Sequence, residues 1–101
     1  MAAITEEQVE RVRELVASIP PGRVSTYGEI AAAADLSSPR IVAWVMRTDS
    51  ADLPWHRVIR ASGRPAPHLQ TRQLELLRAE GVLARDGRVA LTGANSVRHC
   101  F

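Results

Sequence analysis

The run Leu53-Pro54-Trp55-His56-Arg57-Val58-Ile59 sets an indole, an imidazole and a guanidinium side by side inside a short apolar stretch. Pro54 fixes its own φ and biases Leu53 toward extended backbone, so the run predicts entry into a strand. An imidazole there could move a proton near neutral pH, or it could be a half-buried ring with both nitrogens satisfied. Proton transfer to or from His56 would serve chemistry best beside a nucleophile, and the run holds none. The single thiol is Cys100, one residue from the last. It has no disulfide partner in the chain, and a fraying end is a poor place for an activated thiolate. No metal-ligand spacing, phosphate loop or hydrolase elbow occurs, so neither metal nor cofactor is expected.

Two further residues could touch a ligand from the starts of helices. Tyr27 follows Thr26 in the form of a capping box with Glu29, and Arg40 follows Ser38-Pro39, an N-cap with proline at the first helical position. Free N–H groups and the positive end of the helix dipole suit a phosphate at such places. Taken alone, each has a plainer reading: a half-buried ring with a wet hydroxyl, and a solvated surface cation.

The elements that position these residues follow from periodicity and punctuation. Thr5-Glu6-Glu7-Gln8 is a capping box, and Val9, Val12, Leu15, Val16 and Ile19 continue a helical stripe that Pro20-Pro21-Gly22 stops. Arg23-Val24-Ser25 reads as an extended link. A second helix runs from Thr26 through the alanines, Asp35-Leu36-Ser37 breaks it, and a third runs from Pro39 to about Arg47. Two helices across a short turn outline a helix-turn-helix. Ser62-Gly63 suggests a small hairpin around Arg60–Arg64, and Asp86-Gly87 suggests a two-residue hairpin. A fourth helix spans Gln70 to Glu80, with Leu69, Gln73, Leu74 and Leu77 on one side and Gly81 closing it.

The composition fits one folded domain with a small core. The chain has 101 residues and a net charge of +2, and no apolar run approaches a membrane span. Met1 to Glu7 has no positive n-region, so no signal peptide is expected. All 13 basic residues are arginine. Arginine suits phosphates and stacked bases, although a GC-rich coding sequence gives the same bias.

Pro54-Trp55-His56-Arg57-Val58-Ile59 resembles the active-site segment Pro-Cys-His-Arg-Val of the O6-alkylguanine-DNA alkyltransferases, with Trp55 at the place of the alkyl-accepting cysteine. That exchange marks the alkyltransferase-like proteins, which resemble the repair enzymes but do not transfer the alkyl group. Val24-Ser25-Thr26-Tyr27-Gly28-Glu29-Ile30-Ala31 is similar to the family segment whose tyrosine presses on a phosphate and helps rotate a nucleotide out. Arg40-Ile41-Val42 is similar to its Arg-Ala-Val, where the arginine fills the gap in the base stack and the helix enters the minor groove. Ala43 and Trp44 stand where the family has small residues, often two glycines. Arg72-Gln73 and Glu80-Gly81-Val82 resemble the closing helix, whose glutamate joins the motif histidine in a relay. The loop Thr48 to Asp52 lacks the asparagine that braces the family's active site. The loop Pro65 to Leu69 is short for one that in relatives supplies a base-probing arginine; Arg64 and His68 are the candidates here. The resemblance runs from about Val9 to Leu91.

The resemblance implies a mainly α fold with small β-hairpins, a winged-helix-like helix-turn-helix domain over residues 1–101 with an irregular tail from 92 to 101. It implies a lesion pocket of Pro54, Trp55, His56, Arg57, Val58 and Glu80, and DNA contacts from Ser25, Thr26, Tyr27, Arg40, Ala43, Trp44 and Arg47. The function implied is a non-enzymatic damage sensor. It would bind O6-alkylguanine in double-stranded DNA by nucleotide flipping and pass the lesion to nucleotide excision repair proteins. It would act as a cofactor-free cytoplasmic monomer, away from membranes and on the nucleoid in a bacterium. Indole is no nucleophile under these conditions, so a relay kept without its thiol has nothing to activate. Two rivals stand beside this reading. A winged-helix transcription regulator would read major-groove base edges, but the third helix is poor in Asn, Gln and Lys. An active alkyltransferase would have to use Cys100.

Overall fold

The structure, a computed structural model, describes residues 4–101. Met1 to Ala3, part of the stretch without signal-peptide character, lie outside the described residues. Thr5 opens the first helix, α1 (Glu6–Ala17). Its hydroxyl accepts from the Gln8 N–H at 3.1 Å and its own N–H donates to the Gln8 side chain at 3.0 Å, so the expected capping box is complete. Val12 and Val16, one turn apart, are fully buried, and Ile19 follows them into the core.

Two very short strands, β1 (Ser25–Thr26) and β2 (Val58–Ile59), pair in parallel with Ser25 opposite Val58. A ladder this short is not stable alone; it acts as a partition between two cores. Successive strand residues point to opposite faces, so Val58 joins Val12, Val16, Ile30, Val42 and Val45, while Ile59 joins Val24, Leu77, Val82 and Val89. The hairpin expected at Arg60–Arg64 is reduced to its turn: Gly63 N–H donates to the Arg60 carbonyl at 2.8 Å and Arg60 N–H to the Arg64 carbonyl at 3.3 Å, while the strand before it pairs with β1. Val58 and Ile59 are apolar on both faces, and such a strand is best satisfied in a covered parallel ladder. The second hairpin forms in minimal form. Arg85 and Arg88 exchange both backbone bonds around Asp86 and Gly87, which take the positive φ values of 55° and 74° that a two-residue turn requires.

The helix-turn-helix consists of α2 (Tyr27–Ala33) and α3 (Pro39–Thr48), which pack tightly through the alanine face of α2. Thr26 caps α2 by accepting from the Glu29 N–H at 3.1 Å. The reciprocal half of that capping box is not made. The Glu29 carboxylate instead accepts from the Ser25 hydroxyl and pairs with Arg98. α2 ends in a Schellman turn: Leu36 N–H donates to the Ala31 carbonyl, Asp35 N–H to Ala32, and Asp35 takes φ 56°.

α4 (Gln70–Ala79) ends the same way, with Glu80 as its cap and Gly81 at φ 86°. Val82 N–H donates to the Leu77 carbonyl at 3.0 Å, and both side chains are buried in the second core. The motif thereby fixes where the backbone of Glu80 sits. Residues 92–101 form no regular helix or strand, yet the tail is tied down. Val24 donates to the Val97 carbonyl at 2.9 Å and accepts from His99 N–H at 2.7 Å, one rung beside β1. Among the described residues no helix is long and apolar enough to cross a membrane.

Candidate functional site

From the cap of α4, the Glu80 carboxylate reaches back to the Trp-His-Arg motif. Arg57 Nη2 lies 2.6 Å from Oε2, and its Nε lies 3.1 and 3.2 Å from the two oxygens. His56 Nε2 lies 2.9 Å from Oε2, and the Gly22 N–H donates to Oε1 at 3.2 Å. Arg57 Nη1 donates in addition to the Ile19 carbonyl at 2.9 Å, so the network staples the end of α1 to the motif. The three side chains are only 14–16% exposed. The Arg57 guanidinium, then His56 and the Gly22 amide, hold the Glu80 carboxyl down at about 2 against the opposing push of burial. Glu80 is therefore a carboxylate at neutral pH, and the imidazole tautomer that fits it carries its proton on Nε2.

A second brace comes from α4. Gln73 is 2% exposed, and its Nε2 donates to the carbonyls of His56 at 3.0 Å and Val58 at 2.7 Å. One buried amide thus spans the turn that separates the two residues. It holds the motif from the α4 side. The signal was present in the sequence as a lone amide on the apolar side of the fourth helix.

In front of the motif lies a pocket of about 530 Å³. Tyr27 comes from α2; Ala43, Met46 and Arg47 come from α3; Trp55 and Val58 come from the motif. A single 3-10 turn over Trp55–Arg57 explains the division of labour. Successive side chains on such a turn point about 120° apart. Trp55 therefore faces the pocket while His56 and Arg57 face Glu80, and the Trp55 and His56 rings stand edge-on at 88°. Of the residues expected to line the pocket, Trp55 and Val58 do so. His56, Arg57 and Glu80 form its support, and Pro54 precedes the turn without lining it.

The expected DNA contacts also divide. Tyr27, Ala43 and Arg47 line the pocket. Ser25 and Thr26 are buried, taken up by β1 and the helix cap, so they are not a contact surface. Arg40 and Trp44 lie outside the pocket on the exposed face of α3, in one stripe with Ala43 and Arg47. Arg40, Arg47 and Arg60 pair with no carboxylate among the described residues. Burial pushes the Tyr27 phenol up, with Arg60 pulling the other way, so it stays a neutral donor. His68, with Ala66 and Leu69, lines the far wall, whereas the Arg64 guanidinium turns away to the Asp86 carbonyl at 3.1 Å. Gln73 of α4 also reaches the pocket, and Met46, Thr48, Ser50 and Ala51 complete it. Nothing in their spacing singles them out, because they meet there only through the fold.

Residues 7–82 match the family described as 6-O-methylguanine DNA methyltransferase, DNA binding domain. The chain is 43% identical over 82 residues to the DNA base-flipping protein of Escherichia coli, covering 73% of this chain and 61% of that protein, so it spans somewhat less than two thirds of that relative. It is 38% identical over 84 residues to Alkyltransferase-like protein 1 of Schizosaccharomyces pombe, covering 76% of this chain and 78% of that one. The fold superposes on the crystal structure of S. pombe Atl1 in complex with damaged DNA containing O6-carboxymethylguanine. The TM-score is 0.79 at 32% identity, over 88% of this chain and 94% of that one. It also superposes on Mycobacterium tuberculosis O6-methylguanine methyltransferase, with a TM-score of 0.65 at 30% identity over 83% of this chain and 53% of that one.

Proposed function

The chain belongs to the family of the 6-O-methylguanine DNA methyltransferase DNA-binding domain, and from that premise we propose that it is a lesion sensor that binds without repairing. The observation that carries the proposal is Trp55: an indole forms the pocket wall at the motif position where the repair enzymes hold their thiol. Alkyl transfer needs a thiolate attacking a saturated carbon, and no other pocket side chain supplies one. The relay behind the pocket, His56 with Glu80 and Arg57, then serves as scaffold.

The substrate class is double-stranded DNA carrying O6-alkylguanine. A pocket of about 530 Å³ with Trp55, Met46, Ala51, Ala66 and Leu69 on its walls accommodates a flipped base with an apolar substituent. Removing a base from the stack costs a few kcal/mol, less where the lesion pairs poorly. Arg40, on the exposed face of α3, offsets part of that cost by filling the vacated space. Tyr27 sits where it can hold a phosphate beside the flipped nucleotide, and Arg47 and Arg60 add positive charge along the same face. A protein that holds a lesion without removing it must pass it on, and nucleotide excision repair proteins are the proposed recipients. It works without a cofactor.

The test is a long incubation with a duplex containing O6-methylguanine. Retention of the intact lesion in the DNA, with saturable binding tighter than to the matched undamaged duplex, is the expected result. A mass gain of one methyl group on Cys100 or any other side chain would overturn it.

A further inference from the structure

A second groove, of about 980 Å³, lies along the minimal hairpin and shares no lining residue with the lesion pocket. Its walls are Arg64, Arg85 and Arg88 around Leu83, Val89 and Val97. Leu83 is 74% exposed, more than Trp44 or Phe101. It also borders a smaller hollow of about 350 Å³ against α4, where Arg78 adds a fourth guanidinium. None of these four arginines pairs with a carboxylate among the described residues. The acids nearby are Asp86 in the groove and Glu75 in the hollow, so positive charge is in excess on this face.

We propose that this groove docks a partner protein through a segment in which an apolar side chain is flanked by carboxylates. Charge complementarity selects the flanks, because unpaired guanidinium groups are suited to carboxylates at a rim. Leu83 selects the anchor. Leu83, 74% exposed, offers apolar surface that an apolar partner side chain gains by covering. A phosphate backbone would use the arginines and leave Leu83 with nothing to do, so a protein segment fits the whole surface better than DNA. Since the two sites share no residue, one chain can hold a lesion and a partner at once. The docking chemistry does not depend on the lesion reading, and the two fail separately in the experiment below.

The probe is the synthetic peptide Asp-Glu-Leu-Phe-Glu-Asp, titrated into the 15N-labelled chain, with Asp-Glu-Ser-Ser-Glu-Asp as the polar control. Amide shifts confined to Leu83, Ala84 and the Arg85–Val89 hairpin are expected with the first peptide. The control peptide, Leu83→Ser, and the double variant R85E/R88E should each weaken binding by about tenfold or more. Affinity of both variants for the undamaged and the O6-methylguanine duplex should stay within about twofold of the parent. Equal binding of the two peptides, or undiminished binding by both variants, overturns the proposal. A matching loss of duplex affinity in R85E/R88E overturns it in favour of DNA backbone on this face. Loss of self-association in Leu83→Ser, read by sedimentation, overturns it in favour of a second copy of the chain.

Discussion

Arg57 and Glu80 meet with Nη2 2.6 Å from Oε2, both side chains at most 16% exposed. The pair joins three otherwise separate parts of the chain: the motif turn, the cap of α4 and, through Ile19 and Gly22, the end of α1. A contact of this kind is worth little for net stability when made and a good deal when broken, because its loss leaves a charge out of water.

Acid stability should depend on Glu80. Its carboxyl sits at about 2 in the fold against an ordinary value of 4.5, so above pH 4.5 it is ionised both folded and unfolded and the full benefit is present. As pH falls from 4.5 toward 2 the unfolded chain takes up the proton first, and stability drops by up to about 3 kcal/mol. Urea unfolding at pH 6, 4 and 3 measures this. In Glu80→Gln the fall over that window should be distinctly shallower, and stability at pH 6 should be lower by about 1–3 kcal/mol. A parallel pH profile in the variant would mean that other carboxylates carry the acid sensitivity.

Gln73 makes a second, independent prediction. Gln73→Leu keeps the volume but leaves the carbonyls of His56 and Val58 without their donor. Stability should fall by about 1–3 kcal/mol. Affinity for an O6-methylguanine duplex should fall while affinity for the undamaged duplex holds, because the amide supports the wall that meets the base and not the surface that meets phosphates. Fluorescence anisotropy on the two duplexes separates these effects; equal losses on both would place the role of Gln73 in folding alone.

The places where the sequence was readable are those governed by local chemistry. Thr5 with Gln8, Ser38 before Pro39, Gly81 after the fourth helix and Asp86-Gly87 each impose a backbone geometry within a few residues, and each appears as expected. What was not readable lies in long-range choices. Two-residue strands carry no periodicity, so nothing local told Val58 to pair with Ser25 and not with the segment after Ser62-Gly63. The motif was legible as a unit, but only the 3-10 turn decides that Trp55 faces the ligand side and His56 and Arg57 face Glu80. Ser25 and Thr26 are expected at a contact surface only through the resemblance of the segment around Tyr27, and no local signal marks them as buried. In the fold β1 buries the two residues before Tyr27.

Gly63 should not tolerate a side chain. It takes φ 82°, and a Cβ there would run into the Val89 carbonyl oxygen, which is backbone and cannot step aside. Gly63 also accepts the Val89 N–H at 2.8 Å, so relief by moving the turn breaks that bond. Gly63→Ala should destabilise the chain by about 2 kcal/mol or more. That lowers the melting temperature by roughly 8 °C or more for a domain of this size. An unchanged melting temperature would show that the turn has room to shift.

Arg40 makes a prediction about flipping rather than folding. It is exposed in the first turn of α3, and Ser38, not its own side chain, caps the helix there. Arg40→Ala should therefore leave the melting temperature unchanged and weaken lesion binding by about 1–3 kcal/mol, because the hole in the stack goes unfilled. A fluorescent base analogue beside the lesion reports the flipped population directly. The same signal in parent and variant would reduce Arg40 to a surface charge.

Tyr27 tests the phosphate contact. Its ring lines the pocket, and its phenol is held neutral by burial, so the hydroxyl can donate to an anionic oxygen. Tyr27→Phe removes that hydroxyl and keeps the ring packing against the first core. Binding to damaged and undamaged duplexes should weaken together by about 0.5–1.5 kcal/mol, the worth of one hydrogen bond. Phosphate contacts position a protein without reading a base, so the preference for the lesion should fall less than the affinity does. Tyr27→Ala should cost more on the damaged duplex, since a wall of the pocket goes with the ring. Titrating both variants against the matched duplexes decides between the roles. Full affinity in Tyr27→Phe would mean that the hydroxyl faces water and that Tyr27 serves the pocket through its ring alone.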